Sequence, residues 1–156
     1  MSLLKRSLIL FWSVWLTVVF ATNVCDGLKE IGGLDESWRF ASGNFRFLAE
    51  TTARYDAPDW LNRLLFVGVI LWEGCAALLF WCAWWTARRG DMRSLYRAFF
   101  VSLLLWGAFM VADELLIAYR VEGTHMGLFT AQLATLLAIV LLPEEEAGPR
   151  SPESRG

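Results

Sequence analysis

Three carboxylic acids interrupt stretches of sequence that are otherwise made for lipid. Glu73 lies in the run 64–87, and the adjacent pair Asp113 and Glu114 lies in the run 98–119. A carboxyl group inside a bilayer can exchange a proton, hold a cation, or hydrogen-bond one helix to another. Its insertion is costly, so each of the three is a candidate intramembrane functional group, to be weighed against the structural role of interhelical glue. Other chemistry is poorly represented. Cys25, Cys75 and Cys82 form no CxxC or Cys/His ligand pattern, and the last two, seven residues apart, are too distant on one helix face to bridge. His125 is the single histidine, which excludes haem ligation by two histidines of one chain. No Ser/His/Asp set, metal cluster or phosphate-binding loop is present in the sequence, so neither an enzyme nor a bound cofactor is expected.

The elements that must carry these acids are membrane spans. The chain has 156 residues, 56% of them apolar, with nine Trp and eleven Phe. That aromatic load suits membrane interfaces and lipid-facing helices. A helix crosses the hydrocarbon layer in roughly 20 apolar residues. Four segments qualify, 7–25, 64–85, 98–118 and 126–142, joined by a long loop, 26–62, and followed by a charged tail, 143–156, expected to be disordered. The fold class is therefore an all-α membrane protein, a four-span transmembrane helix bundle forming one domain. A net charge of −2, with no basic cluster interleaved with aromatics, excludes nucleic acid as a partner.

Orientation follows the distribution of Lys and Arg. Lys5, Arg6, Arg88, Arg89, Arg93, Arg97, Arg150 and Arg155 lie on one side, four of them in a short connection. Lys29, Arg39, Arg46, Arg54, Arg63 and Arg120 lie on the other, spread over a longer sequence. Both termini are expected in the cytoplasm. Lys5 and Arg6 followed by Val19-Phe20-Ala21 also resemble a cleavable signal, but the apolar run continues past Ala21, and Trp12 and Trp15 are bulky for one. In the external loop, Gly32-Gly33 and Ser42-Gly43 read as turns, Asn44 as the cap of a short helix through Tyr55, and Asp59 as the cap of the second span.

Counting at about 1.5 Å per residue places Glu73 roughly 13 Å below the outer surface and Asp113–Glu114 about 6–8 Å below it. Thr17, Gln132 and Thr135 fall at depths similar to Glu73, so a polar layer of these four facing the bundle interior is expected. Asp113 and Glu114 are close enough to the interface to be met by Arg120 or His125. Gly74 and Ala77 beside Glu73, and Gly127, Ala131, Ala134, Thr135 and Ala138 in the fourth span, are residues that allow helices to approach closely.

Several of these positions together resemble a bacterial family of small integral membrane proteins, catalogued as domain of unknown function twenty-one sixty-five. Asn23 and Asp26 stand just after the first span, Asn44-Phe45 in the loop, Trp72-Glu73-Gly74 in the second span and Asp113-Glu114 late in the third. The resemblance covers roughly residues 5–142 and departs from the family pattern at Arg46 to Glu50, where a His and a Met-Asp pair are absent. It implies four spans in a bacterial inner membrane and supports Glu73 and Glu114 as the residues to test. It implies no reaction. The expectation from sequence is a non-enzymatic accessory or scaffold component of the membrane, beside a larger complex or as a homo-oligomer. The alternative is a small proton- or cation-coupled transport component with Glu73 as its titrating site.

Overall fold

The computed structural model describes residues 1–87 and 91–143 of the chain. Arg88 and Arg89, used above for orientation, and the tail from 144 onward lie outside the described residues. Among the described residues there are five α-helices: α1 (Leu3–Glu30), α2 (Asn44–Thr52), α3 (Asp59–Thr86), α4 (Met92–Leu115) and α5 (Tyr119–Leu141). All except α2 are long and apolar enough to cross a membrane. Helices α1 and α3 extend past their apolar stretches at both ends, and α4 and α5 begin before theirs, while α4 stops at Leu115, short of the expected 118. Ser2 Oγ accepts from Lys5 N at the start of α1. Asp91 caps α4, accepting from Ser94 Oγ at 2.6 Å and Arg93 N at 3.0 Å. Those two hydrogen bonds, the Ser94 one foremost, hold the Asp91 carboxyl below the usual aspartate range.

Consecutive spanning helices pack side by side, α1 on α3, α3 on α4 and α4 on α5, while α1 and α5 meet only sparsely. The buried positions repeat at three, four and seven residues, as one-sided helix packing requires. On α1 they include Ile9, Trp12 and Leu16, on α3 Phe66, Ala76, Phe80 and Ala83, and on α4 Leu95, Phe99 and Trp106. Phe80 and Phe99 meet edge to face at 4.9 Å between α3 and α4. Three indole N–H groups tie helices together: Trp12 to Thr135 Oγ1, Trp72 to the Val101 carbonyl and Trp81 to Thr17 Oγ1. In lipid an indole donor has no water to bond, so each finds an acceptor on a neighbouring helix.

One turn is strained. Between α4 and α5, Ile117 adopts φ 54°, a left-handed conformation that a β-branched side chain rarely takes. It is the reversal that lets the Ala118 N–H reach the Asp113 carbonyl at 2.7 Å and starts α5 at Tyr119. Since Ile117 is half exposed, Ile117→Gly should keep the turn and raise stability by about 1 kcal/mol. A fall in unfolding midpoint would show that the Ile117 side chain contributes more than its backbone costs.

The short helix α2 lies across one end of the bundle, where α1 and α4 finish and α3 and α5 begin. Its anchoring is detailed. Gly43, at φ 74°, occupies the cap position and has no side chain to offer. The first N–H groups of α2 are met from elsewhere: Asn44 N donates to Ser42 Oγ at 3.2 Å, and Phe45 N donates to Asp26 Oδ2 of α1 at 2.8 Å. Asn44 is thus the first helical residue and not the cap. At the other end of α2, Thr52 Oγ1 donates to Asn62 Oδ1 of α3 at 2.7 Å, with both residues buried. Tyr55, in the 3₁₀ turn that follows, donates its hydroxyl to the Leu115 carbonyl at 3.0 Å. The Asp26 carboxylate also favours the positive end of the α2 dipole. Asp26→Ala should therefore cost about 1–2 kcal/mol. Amide exchange should accelerate selectively over residues 44–52, and uniform acceleration throughout the bundle would contradict this assignment.

Candidate functional site

The midpoint of α3 carries Glu73, which is 2% exposed. Its two carboxylate oxygens accept from Asn23 Nδ2 of α1, at 2.8 and 2.7 Å. The pairing follows from helix direction. Side chains lean toward the N-terminus of their own helix. Helices α1 and α3 are antiparallel, so Asn23 leans inward from near the end of α1 while Glu73 leans outward from the centre of α3. The network then runs on. Asn23 presents its NH2 to both Glu73 oxygens and leaves its carbonyl oxygen to a further donor. That donor is Asn44 Nδ2 of α2, at 2.9 Å. Asp26, one turn beyond Asn23, holds the same end of α2 through Ser42 Oγ and Phe45 N. Gly74 allows the approach: a Cβ there would stand 2.9 Å from the Phe20 ring of α1.

A second polar pair stands across the bundle. His125 Nδ1 of α5 lies 2.6 Å from Asp113 Oδ2 of α4. The geometry is again the meeting of two antiparallel helices, with Asp113 leaning inward from the end of α4 and His125 leaning outward from the second turn of α5. Asp113 is 5% exposed. The imidazole rests on aromatic rings, with centroids 4.8 Å from Phe109 and 6.3 Å from Trp106. With Nδ1 engaged by Asp113, Nε2 is the nitrogen left for another partner.

Between the two pairs lies a partly open cavity of about 570 Å³. Glu73 and Asn23 line it from one side, Asp113, His125 and Trp106 from the other, and Asn44, Phe47 and Thr51 of α2 from above. Most of the remaining wall is apolar, and no Lys or Arg among the described residues contributes to it. The indole N–H of Trp106 is buried and has no partner among the described residues. A largely apolar cavity with a few convergent polar groups is the usual form of a small-molecule site.

The expected polar layer is not what the helices build. Thr17 is exposed, donates to the Ser13 carbonyl of its own helix at 2.7 Å and accepts from Trp81. Thr135 likewise donates to the Ala131 carbonyl and accepts from Trp12. Gln132 is fully buried as expected, but two turns below His125, and neither of its side-chain atoms has a partner among the described residues. Glu73 takes its hydrogen bonds from Asn23 instead. Of the acidic pair, Asp113 faces inward and Glu114 is exposed, so Glu114 is displaced by Asp113 as the second candidate. Arg120 lies over the Phe47 ring at 5.3 Å and pairs with neither acid among the described residues. Gly127, Ala131 and Ala134 face outward from the bundle, leaving the close-packing face of α5 unused within one copy of the chain.

Gln132 carries a test of its own. A buried amide without partners costs about 1–3 kcal/mol. Gln132→Leu, close in volume and apolar, should raise stability by about 1 kcal/mol in detergent unfolding. Destabilisation by as much would mean the amide is satisfied in the membrane.

Sequence reasoning reached Asn23 and Asp26 only through the family resemblance, read Asn44 as a helix cap, and did not pair Asn23 with Glu73. It missed Trp106 and Phe109 as the support of His125. No protein-family model, curated protein or solved structure matches this chain, and its similarity to known proteins gives no function.

Proposed function

We propose that this multi-pass membrane protein is a small, non-enzymatic proton- or cation-coupled transport component with Glu73 as its titrating site. The observation that carries this reading is the cavity that reaches Glu73, a carboxyl with an amide as its hydrogen-bond donor and no Lys or Arg beside it among the described residues. A carboxyl so placed can bind either a proton or a cation, one in exchange for the other. The cation takes the charge of the carboxylate as the proton leaves to water through the cavity, and charge balances across the exchange. Asn23 holds the carboxyl in place in both states, and Asn44 fixes the orientation of the Asn23 amide. With both termini in the cytoplasm, α2 covers the external end of the cavity. The convergence of Asn23, Asp26, Asn44, Phe45 and Glu73 in one network supports assignment to the bacterial inner-membrane family that the sequence resembles.

Reaction with dicyclohexylcarbodiimide in lipid tests the reading. The reagent adds to a protonated carboxyl that an apolar molecule can reach. Peptide mass spectrometry should locate the adduct at Glu73 and find none there in Glu73→Gln. An adduct confined to exposed acids such as Glu114 would defeat the proposal.

The second reading, an accessory or scaffold component of a larger membrane complex or a homo-oligomer, is favoured by one observation. Gly123, Gly127 and Ala131 lie exposed at four-residue spacing on α5, the arrangement by which spanning helices dock closely on one another. Copurification of a larger assembly in mild detergent, lost in Gly127→Leu, would support it, and a lone monomer would count against it.

A further inference from the structure

We infer that the cavity binds a lipophilic organic cation, a single amine or quaternary onium centre carried on apolar groups. The inference rests on the reading of Glu73 as an exchangeable carboxyl and adds the chemical class of what it exchanges with.

Charge decides the first exclusion. Glu73 and Asp113 both line the cavity, His125 is already committed to Asp113, and no Lys or Arg among the described residues faces it. An anion would meet the Glu73 carboxyl with no Lys or Arg among the described residues lining the cavity to offset it, in surroundings that weaken screening. Coordination decides the second. Calcium takes six to eight oxygen ligands and magnesium six, and among the described residues no group of three His, Cys, Asp or Glu is placed to hold a metal. Glu73 is met by Asn23 Nδ2, a donor that cannot join a coordination shell.

The walls indicate what the rest of the ligand must be. Phe47, Phe66, Trp106 and Phe109 line the cavity. Aromatic rings attract a cation through their faces, most strongly where water is excluded, and they bury apolar substituents. The volume of about 570 Å³ falls within the usual range for drug-sized ligands. One carboxylate as counter-charge, several aromatic rings and an apolar wall together fit a delocalised or alkylated cation better than a hydrated one.

Tetraphenylphosphonium, tetraphenylborate and triphenylphosphine oxide provide a cation, an anion and a neutral molecule of related shape. Equilibrium dialysis of the full chain in maltoside micelles should give saturable binding of the phosphonium and none of the borate. Glu73→Gln should weaken phosphonium binding by at least about tenfold. Equal affinity for the neutral oxide, or a phosphonium affinity unchanged in Glu73→Gln, would overturn the inference. If Glu73→Gln fails to fold, the unaltered chain still decides: saturating phosphonium should slow the carbodiimide reaction at Glu73 several-fold. Reaction at Glu73 that phosphonium does not slow removes the organic cation and leaves the exchangeable carboxyl standing. No reaction at Glu73 without phosphonium removes both.

Discussion

Replacing Asn23 with leucine should destabilise the bundle by about 2–3 kcal/mol, a large share of the stability of a protein this size. Interhelical hydrogen bonds in membranes are worth about 0.6 kcal/mol on average, because side chains of separated helices find other partners. The Asn23–Glu73 pair should exceed that average for a specific reason. Glu73 is buried at the middle of α3, and both of its oxygens are served by one amide. The alternatives expected from sequence do not serve it: Thr17 and Thr135 are bonded to their own helices, and the Gln132 amide makes no bond among the described residues. Removal of Asn23 therefore leaves a carboxyl without a protein donor among the described residues, and the cost approaches that of an unsatisfied group. Glu73→Leu alone leaves the Asn23 amide partly unbonded and should cost less, since Asn44 still meets its carbonyl. The double variant Asn23→Leu/Glu73→Leu removes both polar groups and should recover at least about 1 kcal/mol relative to the sum of the single changes. Unfolding in mixed micelles provides all three values. Strict additivity would mean that the two side chains do not act as a pair in the membrane.

Gly74 should show the second large effect, and Gly68 provides its control. Both are glycines of α3, where alanine is preferred in a helix by about 1 kcal/mol. At Gly68 an added Cβ meets nothing within 4 Å, so Gly68→Leu should be neutral or stabilising. At Gly74 the Cβ would stand 2.9 Å from Phe20 Cε2 and 3.2 Å from Cδ2. Gly74→Ala requires the Phe20 ring to yield, and Gly74→Leu requires α1 to move from α3. Overpacking of this kind costs about 1–3 kcal/mol. Because Asn23 is one turn from Phe20 on α1, that displacement also lengthens the Asn23–Glu73 bonds. Gly74→Leu should thus lower stability and alter reaction of the carbodiimide at Glu73, whereas Gly68→Leu changes neither. Equal effects at the two positions would remove the close approach of α1 and α3 from the site.

The four spans were readable because length and apolarity alone decide whether a helix crosses a bilayer. The pairing of polar groups was not. Depth along the chain placed Thr17, Gln132 and Thr135 level with Glu73, but depth does not select a helix face. Chemistry does. Threonine can satisfy its hydroxyl on the carbonyl four residues earlier, as Thr17 and Thr135 do, and then has no need of the interior. The amide of Asn23 is shared between Glu73 and Asn44 on two other helices, a bond pattern that crosses the bundle and leaves no trace in the local spacing. Adjacent residues on a helix differ by about 100°, so Asp113 and Glu114 cannot both face inward, and the sequence offered no reason to prefer Asp113. His125 made that choice by standing in the second turn of α5, once the strained turn at Ile117 had started the helix earlier than the apolar run. The cap of α2 was misread for a similar reason. Its acceptors come from Ser42 and from Asp26 on another helix, and Asn44 is thereby released to bond Asn23.

The central claim is that Glu73, though buried between helices, exchanges its proton with water through the cavity. Carbon-13 NMR of the side-chain carboxyl in lipid bilayers measures this directly, with the Glu73 resonance identified by its loss in Glu73→Gln. As the bulk is taken from about pH 4 to about pH 10, the resonance should move from the protonated to the ionised position, and Asn23→Leu should shift the midpoint of that change. A Glu73 resonance that stays in one position over the whole range would contradict the claim and leave the carboxyl as a link between α1 and α3.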